Sequence, residues 1–315
     1  MKHMEELETN LCPLCNSDKS TITFNGKDFL YSKKDFTVVS CSSCGVMYTN
    51  PRVKKNQIGN YYFKGYSPYK PVKRNPLLRT MIDLSGNIFG NINIEIHKDI
   101  KSYNFKTVLE VGPGSGSLLQ FLKKNNYQVA GVEIDNDCVE RIKAQGIECY
   151  CGELSDYKRM LGTRKFELII LCHVLEHLYN PREIIEIIYS LLSDNGILYM
   201  ILPDVGSIEA KLFGKYWIGW DLPRHVVHYN RNTVRDLLTK SGFKVISIRK
   251  NISSSFFIES IGFRFLNGKM PNAVYKLLYY PWKILTPLHS NLFGTGVMKV
   301  IAKKGNLDGK NNSWK

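Results

Sequence analysis

The chain has 315 residues, 43 % of them hydrophobic, with 43 Lys and Arg against 28 Asp and Glu, a formal net charge of +15. That is enough for one full-size domain plus a small accessory one. The charged start, Met1 to Asn10, lacks the apolar core of a signal peptide. No run of roughly 18 uncharged apolar residues occurs, so a secreted or membrane-spanning protein is not expected and a cytoplasmic one is.

Residues 1–50 read as a β-rich head between two knuckles, Cys12-Pro-Leu-Cys15 and Cys41-Ser-Ser-Cys44-Gly45. Two CxxC pairs with 25 residues between them present four thiolates in a tetrahedron, the arrangement Zn²⁺ prefers. A closed Cys₄ site implies structural zinc, tying together a head too small to fold on its core alone. The other four cysteines (Cys138, Cys149, Cys151, Cys172) read as small core hydrophobes.

Residues 51–104 form a basic linker followed by helical periodicity at Leu77, Leu78, Met81, Ile82 and again at Ile92, Ile96, Ile100. The stretch 51–106 holds 11 basic and 3 acidic side chains, and 240–315 holds 13 and 2. Such basic flanks suggest an anionic partner, whether nucleic acid, a phosphorylated or nucleotide-linked substrate, or an acidic membrane surface; simple solubility accounts for them equally.

From Thr107 strands and helices alternate, which predicts a mostly parallel sheet covered on both faces. Expected strands are Thr107–Val111, Gln128–Glu133, Gly146–Cys149, Leu168–Leu171, Gly196–Leu202, Phe243–Arg249 and Gly296–Lys303. The expected fold class is therefore α/β, a doubly wound seven-stranded sheet spanning 105–305, with a polar tail at 306–315. Within it, 251–295 is an insertion with nine aromatics, too long for a hairpin turn. It reads either as a helical lid over an acceptor pocket or as a patch resting on a membrane with Lys269, Lys276 and Lys283 among the headgroups.

The strongest chemical signal is Val108-Leu-Glu110-Val-Gly112-Pro-Gly114-Ser-Gly116, an apolar strand running into a glycine loop that opens a helix. Glycine lets the loop turn with positive φ and lets a ligand approach bare backbone beside free amide donors. A carboxylate follows 21 positions after Gly112, at Glu133, where the second strand should end and where it can take both ribose hydroxyls of a nucleoside. The GxGxG spacing and the acidic Glu110 disfavour a pyrophosphate and suit a cationic sulfonium with its free amino group.

On these residues the segment 105–250 resembles the class I S-adenosylmethionine-dependent methyltransferases. The resemblance implies that Glu110, Gly112, Gly114 and Gly116 hold the methionine side of the donor, that Glu133 binds the ribose, and that Glu153 and Leu154 flank the adenine. The segment Phe166 to Leu178, with Cys172, His173, Glu176 and His177, is similar to ubiquinone-pathway O-methyltransferases; there Cys172 and His173 would face the donor. With the cysteine head and Asn50-Pro51-Arg52, the chain resembles a bacterial subfamily tied to methylation of cell-surface glycans and small metabolites.

After the fifth strand, Trp217-Ile-Gly-Trp220-Asp221-Leu-Pro223-Arg224-His225-Val-Val-His228 falls at the carboxyl edge of the sheet, where acceptor residues are expected. A hydroxyl acceptor must lose a proton, and histidine titrates in the useful range. His225 or His228 is the expected base, with His173 as rival, Arg224 as holder of an anionic group and the two tryptophans as a stacking wall. The leading expectation is O-methylation of a sugar, glycan precursor or other small metabolite. The alternatives are an rRNA or tRNA methyltransferase, for which nucleic-acid motifs are missing, and a non-catalytic adaptor.

Overall fold

Two-residue alternation sets the layers of the main sheet, because successive side chains of each central strand face opposite sides and both sides are apolar. The computed structural model describes residues 6–62, 92–161, 163–251, 256–268, 270–279, 281–282 and 295–305. The helical turn expected at Leu77–Ile82, Lys269, Lys283 and the tail 306–315 lie outside the described residues.

In chain order the head comprises β1 (Leu7–Glu8), β2 (Ser20–Lys27), β3 (Asp35–Cys41), β4 (Met47–Thr49) and β5 (Arg52–Val53). The body runs α1 (Ile92–Ile100), β6 (Thr107–Val111), α2 (Ser117–Lys124), β7 (Gln128–Glu133), α3 (Asn136–Lys143), β8 (Glu148–Cys151), α4 (Leu154–Leu161) and β9 (Phe166–Cys172). It continues with α5 (Pro181–Leu191), β10 (Leu192–Pro203), α6 (Ile208–Phe213), β11 (Val227–His228), α7 (Arg231–Lys240), β12 (Phe243–Lys250), α8 (Phe256–Leu266) and β13 (Val297–Lys304).

Seven strands form the main sheet in the order β12-β13-β10-β9-β6-β7-β8, with β13 antiparallel to both its neighbours and the remaining pairs parallel. Val108, Ile170, Tyr199 and Ile201 face Ile96 and Ile100 of α1 and Leu118 and Leu122 of α2. Leu109, Ile169, Leu171 and Met200 face the other way, onto Ile185 and Ile188 of α5 and Leu237 of α7. The strand order reverses at β6, so a crevice opens at the carboxyl ends of β6, β7 and β9.

The third strand begins two residues later than the sequence suggests, because Gly146, at φ +68°, spends its position on the turn that follows α3. The cysteines also differ from a uniform core role: Cys138 and Cys149 are buried, Cys151 is exposed and Cys172 is half-buried.

The head is not a separate unit. Strand β11 from the body adds to the head's sheet, pairing Val227 with Tyr48 and His228 with Met47, so its order is β11-β4-β3-β2. Cys12, Leu14, Val46 and Tyr48 share one continuous core with Leu109, Val227 and Tyr229.

Helix α1 is fastened to the sheet by Lys299 of β13, whose ammonium lies 3.1 Å from Glu95 and 2.6 Å from Asp99; Tyr199 donates to the same Asp99 at 2.7 Å. Lys299 is 7 % exposed, so its charge depends on both partners. Lys299→Ala should cost about 1–3 kcal/mol of stability, less than a fully buried pair because the carboxylates are partly solvated. Chemical denaturation measures it, and a change confined to surface-substitution size would refute the anchoring role.

Candidate active site

A cavity of about 930 Å³ opens at the crevice, lined from β6 to β9 by the glycine loop, Glu133, Glu153, Leu154, Cys172 and His173. At one end of it Gly112, Gly114 and Gly116 have φ of +69°, +51° and +72°. A Cβ on Gly112 would come within 2.6 Å of Val174, and one on Gly116 within 2.6 Å of Ile142. Bare backbone is therefore a steric necessity at both positions.

Two carboxylates face this loop. Glu133 is 4 % exposed and accepts hydrogen bonds from the amides of Gly114 (2.9 Å), Ile134 (2.8 Å) and Asp135 (3.1 Å). Burial still raises its pKa above the ordinary range, although the three amides pull the other way. Glu110 is also 4 % exposed, and its Oε2 meets no hydrogen-bond donor. Burial, then the charge of Glu133, pushes Glu110 up to about 8. A buried acid without a donor, beside glycines that admit no side chain, is a cradle for a cationic ligand. These residues fit S-adenosylmethionine: Glu110 toward its cationic end and Glu133 toward its ribose. Glu153 lines the same end and pairs with Lys55 at 2.7 Å across the mouth.

At the far end the segment after β9 carries a histidine cluster around Glu176. This carboxylate is 2 % exposed, and neither oxygen accepts a hydrogen bond of ordinary geometry. His173 Nδ1 lies 3.3 Å and His225 Nε2 3.9 Å from its Oε1. Burial opposes the charge of Glu176, but the three histidines outweigh it and hold the acid below its usual range. Ligand atoms of Glu176, His177 and His225 lie within 4.8 Å of one another. His177 lines the cavity and Glu176 lies behind it against the histidines, places that sequence reasoning did not assign; the Leu-Glu-His-Leu string was the available signal. Leu30 of the head, Tyr62 and Phe256 of α8 also line the cavity, and pattern reading could not connect such distant segments.

The expected acceptor residues separate. His173 and His225 line the cavity, and His173, at φ +55°, leaves β9 in a strained turn of the kind found at functional sites. His228 instead turns to the head, its Nε2 3.2 Å from Thr49 Oγ1, and lies outside the lining. Burial, then His225, lowers His228 to about 3, so it would be a poor base near neutrality. His177 is lowered to about 4 by burial and then His225, and its Nδ1 lies 2.9 Å from the carbonyl of Arg224.

Arg224 cannot hold an anionic acceptor: 1 % exposed, it is spent on Asp221 (2.6 Å), Asp28 (3.1 Å) and the carbonyl of Tyr61 (3.1 Å). Nor do the tryptophans form a wall. Trp217 and Trp220 are 1 % and 7 % exposed, packed edge-to-face on each other within the core that joins head and body.

In the head, Cys12 and Cys44 sulfurs lie 3.5 Å apart, as do those of Cys15 and Cys41, and all four ligand atoms fall within 4.8 Å. Each knuckle closes on a positive-φ residue, Asn16 (+58°) and Gly45 (+74°), whose amide bonds back to the first cysteine's carbonyl at 2.9 Å. The donor set and its spacing fit a tetrahedral zinc, whose Zn–S bonds of about 2.3 Å place sulfurs about 3.8 Å apart.

Residues 94–248, which contain the glycine loop, Glu110, Glu133 and the whole histidine cluster, match the family described as "Methyltransferase domain". Over this segment, just under half of its length, the chain is similar to the methyltransferase-domain family. The chain is 25 % identical over 138 residues to a ubiquinone biosynthesis O-methyltransferase from Shewanella halifaxensis, covering 42 % of this chain and 52 % of that protein. A second protein so named, from Nitrosomonas europaea, is 24 % identical over 154 residues, covering 46 % of this chain and 59 % of its own. The chain thus spans about half the length of the curated relatives it matches. Among solved structures, the plantazolicin methyltransferase BamL, in complex with a triazolic desmethyl analog and SAH, superposes with a TM-score of 0.50 at 14 % identity. It covers 79 % of this chain and 94 % of that one. That likeness shows the shared fold.

Glu110 gives a test with opposite signs in two assays. Its folded pKa of about 8 exceeds the ordinary 4.5, so the folded protein binds a proton that the unfolded chain lacks, and ligand-free stability falls as pH rises through that window. Glu110→Gln should stabilise the ligand-free protein, by a margin that grows from the ordinary value towards 8. The same change should weaken S-adenosylhomocysteine about ten- to a hundred-fold, the loss of one charge-assisted contact. Thermal melts across pH and calorimetry check both; unchanged affinity would remove Glu110 from the donor site.

Proposed function

We propose that this chain is an S-adenosylmethionine-dependent methyltransferase acting on an oxygen of a small molecule, and that His173 takes the acceptor's proton. The observation that carries the reading is the buried, donor-less Glu110 beside the glycine loop, with Glu133 within reach of the same cavity. The family match and the names of the curated relatives support methyl transfer to oxygen.

When bound, the donor supplies a methyl group made electrophilic by its sulfonium. Held by Glu110, the glycine loop and Glu133, the donor would give this methyl to the acceptor oxygen and leave as S-adenosylhomocysteine, and His173 would take the hydroxyl proton. His173 directs Nδ1 towards Glu176, so Nε2 is the nitrogen left for the acceptor. The resulting imidazolium is stabilised by an anion already held in a water-poor site. Val174 abuts the glycine loop, which keeps His173 at the junction of the donor and acceptor ends.

Charge narrows the acceptor. In a chain of net charge +15, the described cavity lining offers one lysine, Lys55, already paired, and no arginine, against Glu110, Glu133, Glu153, Glu183, Asp221 and Glu259. That balance favours an uncharged acceptor, such as a neutral sugar, glycan precursor or phenolic metabolite, over a phosphorylated one or RNA.

Labelled donor offered to a panel of neutral sugars, catechols, their phosphorylated or carboxylated counterparts and total RNA separates these classes. Label in the neutral small molecules is expected; label in RNA overturns the acceptor class. In the active combination His173→Gln should lower kcat about 10²–10⁴-fold with S-adenosylhomocysteine affinity unchanged. A wild-type kcat in that variant would exclude His173 as the base.

The four head cysteines are further proposed to hold one structural zinc. Elemental analysis should give one zinc per chain and none in Cys41→Ser, whose head should melt earlier; zinc-free protein with a native melting point would refute this.

A further inference from the structure

The head does more than cap one end of the body, because its β2–β3 turn, residues 28–34, reaches the cavity. Leu30 lines it, and Phe29 stacks on Phe263 of α8 with ring centroids 4.9 Å apart. Asp28 sits at the base of this turn, wholly buried. Its Oδ1 accepts from the amides of Leu30 (3.1 Å) and Tyr31 (3.0 Å), and its Oδ2 accepts from the amide (2.7 Å) and hydroxyl (2.8 Å) of Ser32. The remaining partner of Oδ1 is Arg224 Nη2 of the acceptor-side loop, at 3.1 Å.

Arg224 divides its fork among Asp28, Asp221 and the carbonyl of Tyr61. Asp221, at φ +33°, is held by Nε and Nη2 of that fork and lines the cavity, with its Oδ2 3.9 Å from His225 Nε2. The other edge of His225 is fixed by the carbonyl of Gly219, 2.8 Å from Nδ1. A second set of contacts runs beside the first: Thr49 of β4 donates its amide to the carbonyl of Val226 and its hydroxyl to that of His225, both at 3.1 Å. Thus the tethers from Asp28 and Thr49 to residues 224–226 land beside His225 and Asp221, which line the cavity, while the Thr49–His228 contact lies outside it.

We propose that Asp28 is a positioning residue: through Arg224 it fixes Asp221 and thereby the orientation of His225, so the head organises the acceptor end of the cavity while leaving the donor end alone. The inference rests on the reading of that end as the acceptor site. The groups facing His225 are Glu176 and Asp221, each 3.9 Å from Nε2, the ring of His177 at a centroid distance of 4.6 Å, and the carbonyl of Gly219. Asp28 touches none of them directly, which separates its role from that of a catalytic group.

The test uses full-length protein and the variant Asp28→Asn, read by long-range ¹H–¹⁵N spectra of the histidine rings, zinc content and calorimetry with S-adenosylhomocysteine. Wild-type His225 should show a single tautomer protonated at Nδ1, as its bond to Gly219 requires. In Asp28→Asn that pattern should be lost or averaged, His97, which packs on Phe121 and Tyr127 outside the cavity lining, should be unmoved, zinc content should be unchanged, and donor-product affinity should stay within about twofold. A native His225 pattern in the folded variant overturns the proposal. If Asp28→Asn does not fold, Arg224→Lys, which keeps the cation but cannot span three acceptors, takes its place with the same expectation and the same overturning result. Wild-type protein that fails to bind S-adenosylhomocysteine would sink the methyltransferase reading instead, whatever His225 does.

Discussion

A carboxylate without a donor, buried at the end of the central strand, is the constraint on which the site turns. Among the described residues the Oε2 of Glu110 meets no hydrogen-bond donor, and burial together with Glu133 pushes the acid towards the protonated form. The fold carries this cost at the position where the strand order reverses and where Val174 and Ile142 forbid side chains on the facing loop. An unfavourable acid, an excluded Cβ and an open crevice together make sense as parts of one complementary surface for a cation. The cost is local because Glu133, one strand away, has its oxygens occupied by loop amides and keeps the loop closed.

The second organising feature is the way head and body share material. A body strand completes the head's sheet, and a head carboxylate completes the body's ion pairs. Arg224, buried between Asp28 and Asp221, would be a liability if either acid were removed, since a guanidinium does not shed its proton to escape burial. The tryptophans that flank it serve the same joint, Trp220 meeting Phe24 of the head edge-to-face with ring centroids 4.7 Å apart. Residues that look like ligand-binding chemistry in the sequence are here the mortar of an interface, and the cavity lies just beyond it.

Legibility in the sequence followed the range of the interaction. The seven strands were readable because period-two apolar runs are local, and the meeting of the glycine loop with Glu110 and Glu133 because strand, loop and second carboxylate stand at fixed spacing. The cysteine quartet was readable for the same reason. The acceptor end was only partly so. Arg224, His225 and His228 are close in sequence, yet burial sends the first to Asp28, the second to the cavity and the third to Thr49. Nothing local distinguishes these polar residues on one loop when Asp28, which takes Arg224, and Thr49, which takes His228, stand 196 and 179 positions away. Glu176 and His177 were visible as letters, but their role depends on His225 arriving from a different loop.

Charge shows the same division between local and global. The basic flanks that suggested an anionic partner do not continue into the described cavity, whose lining is acidic with one paired lysine. Long-range potential from a net charge of +15 acts on whatever approaches the surface and is screened within about 8–10 Å at ordinary ionic strength. Selection at the reacting atoms is set instead by groups within hydrogen-bonding reach, in a site too dry to screen them. A surface that attracts anions around a pocket that rejects them is consistent physics: the first concerns encounter, the second the free energy of the bound state, and only the second bears on which ligand the cavity selects.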